Sequence, residues 1–139
     1  NTAMPARVAR RVEESLRDRS VAVAGARVLV LGLAYKPDID DVRESPALEV
    51  IELLRERGAR VDYSDPHVPR THAMRRYDLG MQSVTLSESA LTSYDAVVVI
   101  TAHAAFDWAL VARSARLVID TRNALAPFAG QMGGRLVKA

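Results

Sequence analysis

A tyrosine and a lysine stand side by side just beyond an apolar run. The run Arg27-Val-Leu-Val-Leu-Gly32 ends in glycine, and Tyr35 and Lys36 follow it. Lys36 is one of two lysines in the chain, the other being Lys138. An ammonium past a strand end supplies a point charge for a phosphate, and the adjacent ring offers a face on which a base can stack. Residues 33–45 also carry Asp38, Asp40, Asp41, Arg43 and Glu44. A helix beginning after Ser45 adds backbone donors suited to an anion. The competing reading is a solvated loop that pairs with itself, Asp40 or Asp41 with Arg43. Residue types leave both open.

Other candidates are weaker. Asp120-Thr121-Arg122-Asn123 places an arginine beyond a later strand, where a fork of donors can grip an anionic or hydroxylated ligand, or simply project from a turn. Asp65-Pro66 marks a turn, although an acid after a second strand can also bind a ribose. His67, His72 and His103 lack metal-ligand spacing, so no metal site is expected. His103 follows a strand and either lines a cleft or, as the default, sits in a solvent-facing turn. With no cysteine, the chain has neither disulfide, thiolate metal site nor cysteine nucleophile. No catalytic residue is expected.

The elements that must position these groups are legible from periodicity. Residues 5–19 predict a helix with Pro5 in its first turn and an apolar stripe of Val8, Val12 and Leu16. That stripe either covers the domain's own sheet or packs against another domain or a second copy. Residues 27–32, 59–64, 95–100 and 116–119 predict strands, with residues 135–137 as an edge strand. Residues 46–57 predict a helix capped by Ser45 and ended by Gly58. Shorter helices are expected around Ala73, over 86–91 and over 106–112. Apolar runs without alternation indicate strands buried on both faces. The order predicts an α/β fold: a Rossmann-like three-layer sandwich with a mainly parallel sheet, preceded by one N-terminal helix. Ligands bind such sheets beyond the carboxyl ends of the strands. A βα connection usually takes two to six residues, so residues 33–45 form an unusually long one.

Composition narrows the classes. The chain has 139 residues, 49% of them hydrophobic and 26% charged, as a single globular domain does. No apolar run approaches the roughly 20 residues of a membrane span. The net charge is +2, and Arg7/Arg10/Arg11 and Arg70/Arg75/Arg76 are short clusters without interleaved aromatics. Neither nucleic acid nor membrane is an expected partner, and the cytoplasm is the default compartment. The dinucleotide pattern G-x-G-x-x-G is absent after Gly32, so an ordinary NAD site is not expected here.

The segment Gly32-Leu-Ala-Tyr-Lys-Pro-Asp-Ile-Asp-Asp-Val-Arg-Glu-Ser-Pro-Ala47, with Gly58-Ala59, Asp65-Pro66-His67-Val68-Pro69 and Asp120-Thr121-Arg122-Asn123, resembles the C-terminal, UDP-binding domain of UDP-glucose/GDP-mannose dehydrogenases. The Asp-Asp-Val-Arg-Glu-Ser-Pro-Ala form resembles the branch acting on UDP-N-acetylhexosamines. The resemblance implies that residues 1–20 end a central linking helix and that 25–139 bind a UDP-sugar. It implies substrate contacts at Tyr35, Lys36 and Arg122, and a contact from Arg43 to NAD. NAD itself, and the cysteine that carries the C6 oxidation, would belong to a missing N-terminal part. The fragment alone is then inactive, and the whole enzyme a homodimer or larger. A rival reading is a stand-alone nucleotide-binding regulatory module. Another is a dimerisation module using the Val8/Val12/Leu16 stripe.

Overall fold

The computed structural model describes residues 3–43, 45–72 and 79–139. The helix expected around Ala73, together with Glu44, Arg75 and Arg76, lies outside them. Five strands form one sheet: β1 (Arg27–Leu31), β2 (Arg60–Ser64), β3 (Ala96–Val99), β4 (Val118–Asp120) and β5 (Leu136–Lys138). Their order is β2-β1-β3-β4-β5, and every pairing is parallel. The chain first moves outward from β1 to β2 and then returns past β1 to β3. That reversal makes β1 and β3 the switch point of the sheet, where two neighbouring strands send their connections to opposite faces.

Each central strand feeds two cores. Val28, Val30, Ala96 and Val98 point to one face, while Leu29, Leu31, Val97 and Val99 point to the other. All are fully buried, which is why the strands read as unbroken apolar runs. The first face is covered by α1 (Met4–Asp18) and α2 (Pro46–Glu56), the second by α3 (Glu88–Thr92), α4 (Trp108–Ser114) and α5 (Ala129–Met132).

The stripe of α1 is used inside the chain. Val8, Val12 and Leu16 are at most 2% exposed, and α1 packs chiefly on α2 with a smaller contact to β3. Arg57 at the end of α2 reaches Glu13 of α1 at 3.3 Å. The stripe is therefore not available as a dimer interface, which removes that form of the dimerisation reading. An amphipathic stripe looks the same whichever surface it meets. Here that surface is mainly α2, with a smaller part of β3.

Helix α2 starts where the local chemistry puts it. Ser45 Oγ accepts the Ala47 N–H at 3.2 Å, and Pro46 opens the first turn. The connection from β1 to α2 thus spans residues 32–45, between two rigid elements on the same side of the molecule.

Candidate functional site

Three strand ends meet at the switch point. Gly32 continues the β1–β2 ladder, donating its N–H to Ser64 O at 2.9 Å. Ile100 and Thr101, just past β3, donate to Leu31 O. Gly32 has φ +91°, and a Cβ built there would lie against the carbonyl oxygen of Thr101 and 2.7 Å from its N. The glycine is required because the backbone after β3 fills that space.

Asp65, the first residue past β2, ties the three ends together. It is 1% exposed, and its carboxylate accepts four donors. Oδ2 takes the N–H of Leu33 at 2.8 Å, the N–H of Ala34 at 2.9 Å and Nε2 of His103 at 2.8 Å. Oδ1 takes the N–H of His67 at 2.8 Å. This confirms the turn at Asp65-Pro66 and turns the carboxylate inward, onto the protein's own donors rather than toward a ribose. Its part in anchoring the long loop was not readable from the sequence: the partners lie 31 to 38 residues away in the chain.

The expectation for His103 is corrected. It is fully buried rather than in a solvent-facing turn. Its ring packs edge-on against His67, with centroids 4.6 Å apart, and tilts against Phe106 at 5.5 Å. Nδ1 accepts the N–H of Asp38 at 2.8 Å. Nδ1 must then present its lone pair, so the proton sits on Nε2 and is donated to Asp65. Asp38, His67 and His103 each bring a possible metal-ligand atom within 4.8 Å of the others. Both ring nitrogens of His103 are already bonded at 2.8 Å, so the arrangement works as a hydrogen-bonded clamp.

Beyond Ala34 the loop turns outward. Leu33 and Ala34 are buried, while residues 35–40 are exposed. Tyr35 donates its N–H to Asp41 O at 2.6 Å, closing a small ring with Asp38 at its centre. Asp38 has φ +65°, and its Oδ1 accepts the Ala104 N–H at 2.8 Å. Tyr35 and Ile39 are the exposed large hydrophobic residues among those described. Lys36 Nζ lies 5.5 Å from the Tyr35 ring centroid, and no ion pair among the described residues involves it.

Arg43 forms the self-pairing that the sequence left open. Its Nε and Nη2 reach the Asp41 carboxylate at 3.0 and 2.8 Å. The guanidinium and the Arg43 N–H hold the Asp41 carboxyl down to about 2, from 3.8. Of the loop's acidic groups, Asp38 and Asp41 are thus turned onto donors of the protein. Lys36 remains to present positive charge outward.

Arg122 is exposed, as a turn residue is. The turn is built by Asp120, which is 3% exposed and accepts the N–H groups of Arg122, Ala124 and Leu125. Arg122 follows β4 and Tyr35–Lys36 follow β1, on the same edge of the sheet with β3 between them. Two strand spacings amount to about 10 Å, a separation a nucleotide diphosphate can bridge. A cleft of about 240 Å³ lies on the β2 side, lined in part by Leu33, Asp40, Val42, His67 and Arg70. Tyr35, Lys36 and Arg122 do not line it. Their surface is open.

The fold's usual dinucleotide position does not fit NAD. Thr101 backbone occupies the space beside Gly32, and the Asp65 carboxylate is buried and already accepts four protein donors.

Residues 29–127 match the model of the UDP-glucose/GDP-mannose dehydrogenase family, UDP binding domain. A UDP-N-acetyl-D-mannosamine dehydrogenase of Pyrococcus horikoshii is 34% identical over 128 residues, which is 88% of this chain and 28% of that protein. A UDP-glucose 6-dehydrogenase of Haloferax volcanii is 38% identical over 116 residues, 81% of this chain and 26% of that protein. The crystal structure of an NDP-N-acetyl-D-galactosaminuronic acid dehydrogenase from Methanosarcina mazei superposes with a TM-score of 0.77. It is 28% identical, covering 100% of this chain and 29% of that one. The chain thus spans a little over a quarter of the length of these relatives.

Proposed function

The chain belongs to the UDP-glucose/GDP-mannose dehydrogenase family, where it matches the UDP binding domain, and from this premise we propose that it grips the UDP part of a nucleotide sugar for an NAD-dependent 6-dehydrogenase. The observation that best supports the reading is the presentation of Lys36 and Tyr35 on a loop pinned at the switch point. Lys36 offers its ammonium to the diphosphate, and Tyr35 offers its ring to the nucleoside. Arg122, on the same strand-end edge, adds a guanidinium toward the same ligand. The binding energy so gathered would hold the sugar C6 against reacting groups outside this chain.

NAD would be held by another part of the longer enzyme, since Thr101 closes the space beside Gly32 and Asp65 is buried against the loop amides. Arg43, on the outer rim of the loop, is the residue proposed to face it. The open Tyr35–Lys36 surface, with exposed Tyr35 and Ile39, suits a half-site completed by a partner domain in a homo-oligomer.

Calorimetric titration of the chain with UDP, and with NAD as control, tests the reading. UDP binds and NAD does not. Lys36→Ala weakens UDP by about 1–3 kcal/mol, the scale of a charge-assisted bond, or roughly 5- to 150-fold in Kd. Unchanged UDP affinity in Lys36→Ala would remove that residue from the site. NAD binding in place of UDP would overturn the assignment.

A further inference from the structure

We propose that His103 is the positioning residue of the Tyr35–Lys36 loop: it fixes the backbone of Asp38 through Nδ1 while Asp65 fixes the ring through Nε2. The inference deepens the reading above and rests on Tyr35 and Lys36 being the UDP contacts.

The loop needs such a restraint. Asp38 sits at the tip of the ring closed by the Tyr35–Asp41 bond, with φ +65°. The left-handed region carries a cost for any residue with a Cβ, smaller for Asp than for most, so a restraint that selects it makes the loop's shape unique. Two bonds hold it, both from the connection after β3: Asp38 N–H to His103 Nδ1, and Ala104 N–H to Asp38 Oδ1. The second acts on an exposed side chain that rotates. The first acts on the backbone and ends on a ring that cannot move.

His103 is suited to that task. It is 0% exposed and wedged between His67 and Phe106. Asp65 accepts the Nε2 proton, so Nδ1 is committed as an acceptor. Asp65 also holds Leu33 and Ala34, where the loop leaves β1. One carboxylate thus fixes the root of the loop directly and its tip through His103. Lys36 lies between these two anchors, and its Nζ position follows from both.

Two amide variants separate the two ring nitrogens. In His103→Asn the side-chain oxygen stands near Nδ1 and can accept the Asp38 N–H, while the donor to Asp65 is lost. In His103→Gln the amide reaches Asp65, while the acceptor for Asp38 is lost. UDP affinity by calorimetry and amide exchange over residues 35–41 are read in each, beside a thermal melt. The expected result is UDP affinity within about threefold of the parent in His103→Asn. In His103→Gln it falls about tenfold, with faster exchange at Asp38.

Equal losses in the two variants, or parent-like exchange and affinity in His103→Gln, would overturn the proposal. Faster exchange in His103→Gln with unchanged UDP affinity would uphold the positioning role and reject the nucleotide contacts instead. Asp38→Ala serves if neither His103 variant folds. It keeps the N–H and the cost of the left-handed backbone and removes the Ala104 contact. Affinity within about threefold supports His103 as the restraint, and a tenfold loss places the restraint on the Asp38 carboxylate.

Discussion

Replacing Asp65 by asparagine tests the reasoning about how the site is held. The substitution preserves shape and removes one acceptor oxygen and the charge. In the parent, Oδ2 accepts Leu33, Ala34 and His103, and Oδ1 accepts His67, all at 2.8–2.9 Å. In Asp65→Asn the amide oxygen of the new side chain takes over the three contacts of Oδ2. Its NH2 group then faces the His67 N–H, donor against donor. Bonds to a charged acceptor contribute about 1.5–3 kcal/mol and neutral ones about 0.5–1.5, so each retained bond weakens by about 1 kcal/mol. The opposed pair at His67 costs about 1–3 kcal/mol more. Burying a neutral amide instead of a carboxylate returns part of that loss. The expected net destabilisation is about 2–4 kcal/mol. At about 3–4 °C per kcal/mol for a chain of this size, the melting temperature falls by about 10 °C. Thermal and urea unfolding by circular dichroism measure the total. Amide exchange locates it, rising at Leu33, Ala34 and His67 by more than the global loss accounts for. A variant within about 0.5 kcal/mol of the parent, with those three amides still protected, would refute the account of Asp65 as the anchor.

Further perturbations address separate parts of the structure. Gly32→Ala meets both the left-handed backbone and the Thr101 carbonyl, costs about 2–5 kcal/mol from strain and overpacking together, and lowers the urea midpoint; an unchanged midpoint would show that the strand ends part easily. Tyr63 is buried with its hydroxyl donating to Val68 O at 2.7 Å, and burial, then Asp65, push its phenol up to about 12 from 10.0. The folded chain therefore holds that proton more tightly than the unfolded one. The stability this contributes is whole below pH 10 and is lost as pH rises from there through about 12. Urea midpoints across that range should fall more steeply in the parent than in Tyr63→Phe, and parallel slopes would contradict it. Arg43→Ala should leave UDP affinity of the chain unchanged while the Asp41 carboxyl titrates back toward 3.8 from about 2, read by NMR. A large loss of UDP affinity would move Arg43 into the substrate site.

Much of the framework was legible one residue at a time. Unbroken runs such as residues 28–31 and 96–99 announce strands covered on both faces, because no alternation is needed when both faces are dry. Ser45, Pro46 and Gly58 mark the ends of α2 through caps that act within a few residues. The length and charge of residues 33–45 mark the connection that matters, and the motif there carries the family. Each of these signals is local, so the order of residues suffices to express it.

Tertiary structure decided what the local signals leave open. The stripe on α1 specifies an apolar neighbour without saying which, and α2, with part of β3, supplied it. His103 carries no mark in the sequence of being buried. It is buried because β1 lies between β2 and β3, which brings Asp65, Asp38 and His103 to one point from three separate connections. Strand order is set by the packing of whole helices and sheets, and a hydrogen bond across 38 or 65 residues exists only once that order is fixed. Local residue order sets the strands, the long loop and the residues that loop displays. The fold decided which buried groups hold that display in place.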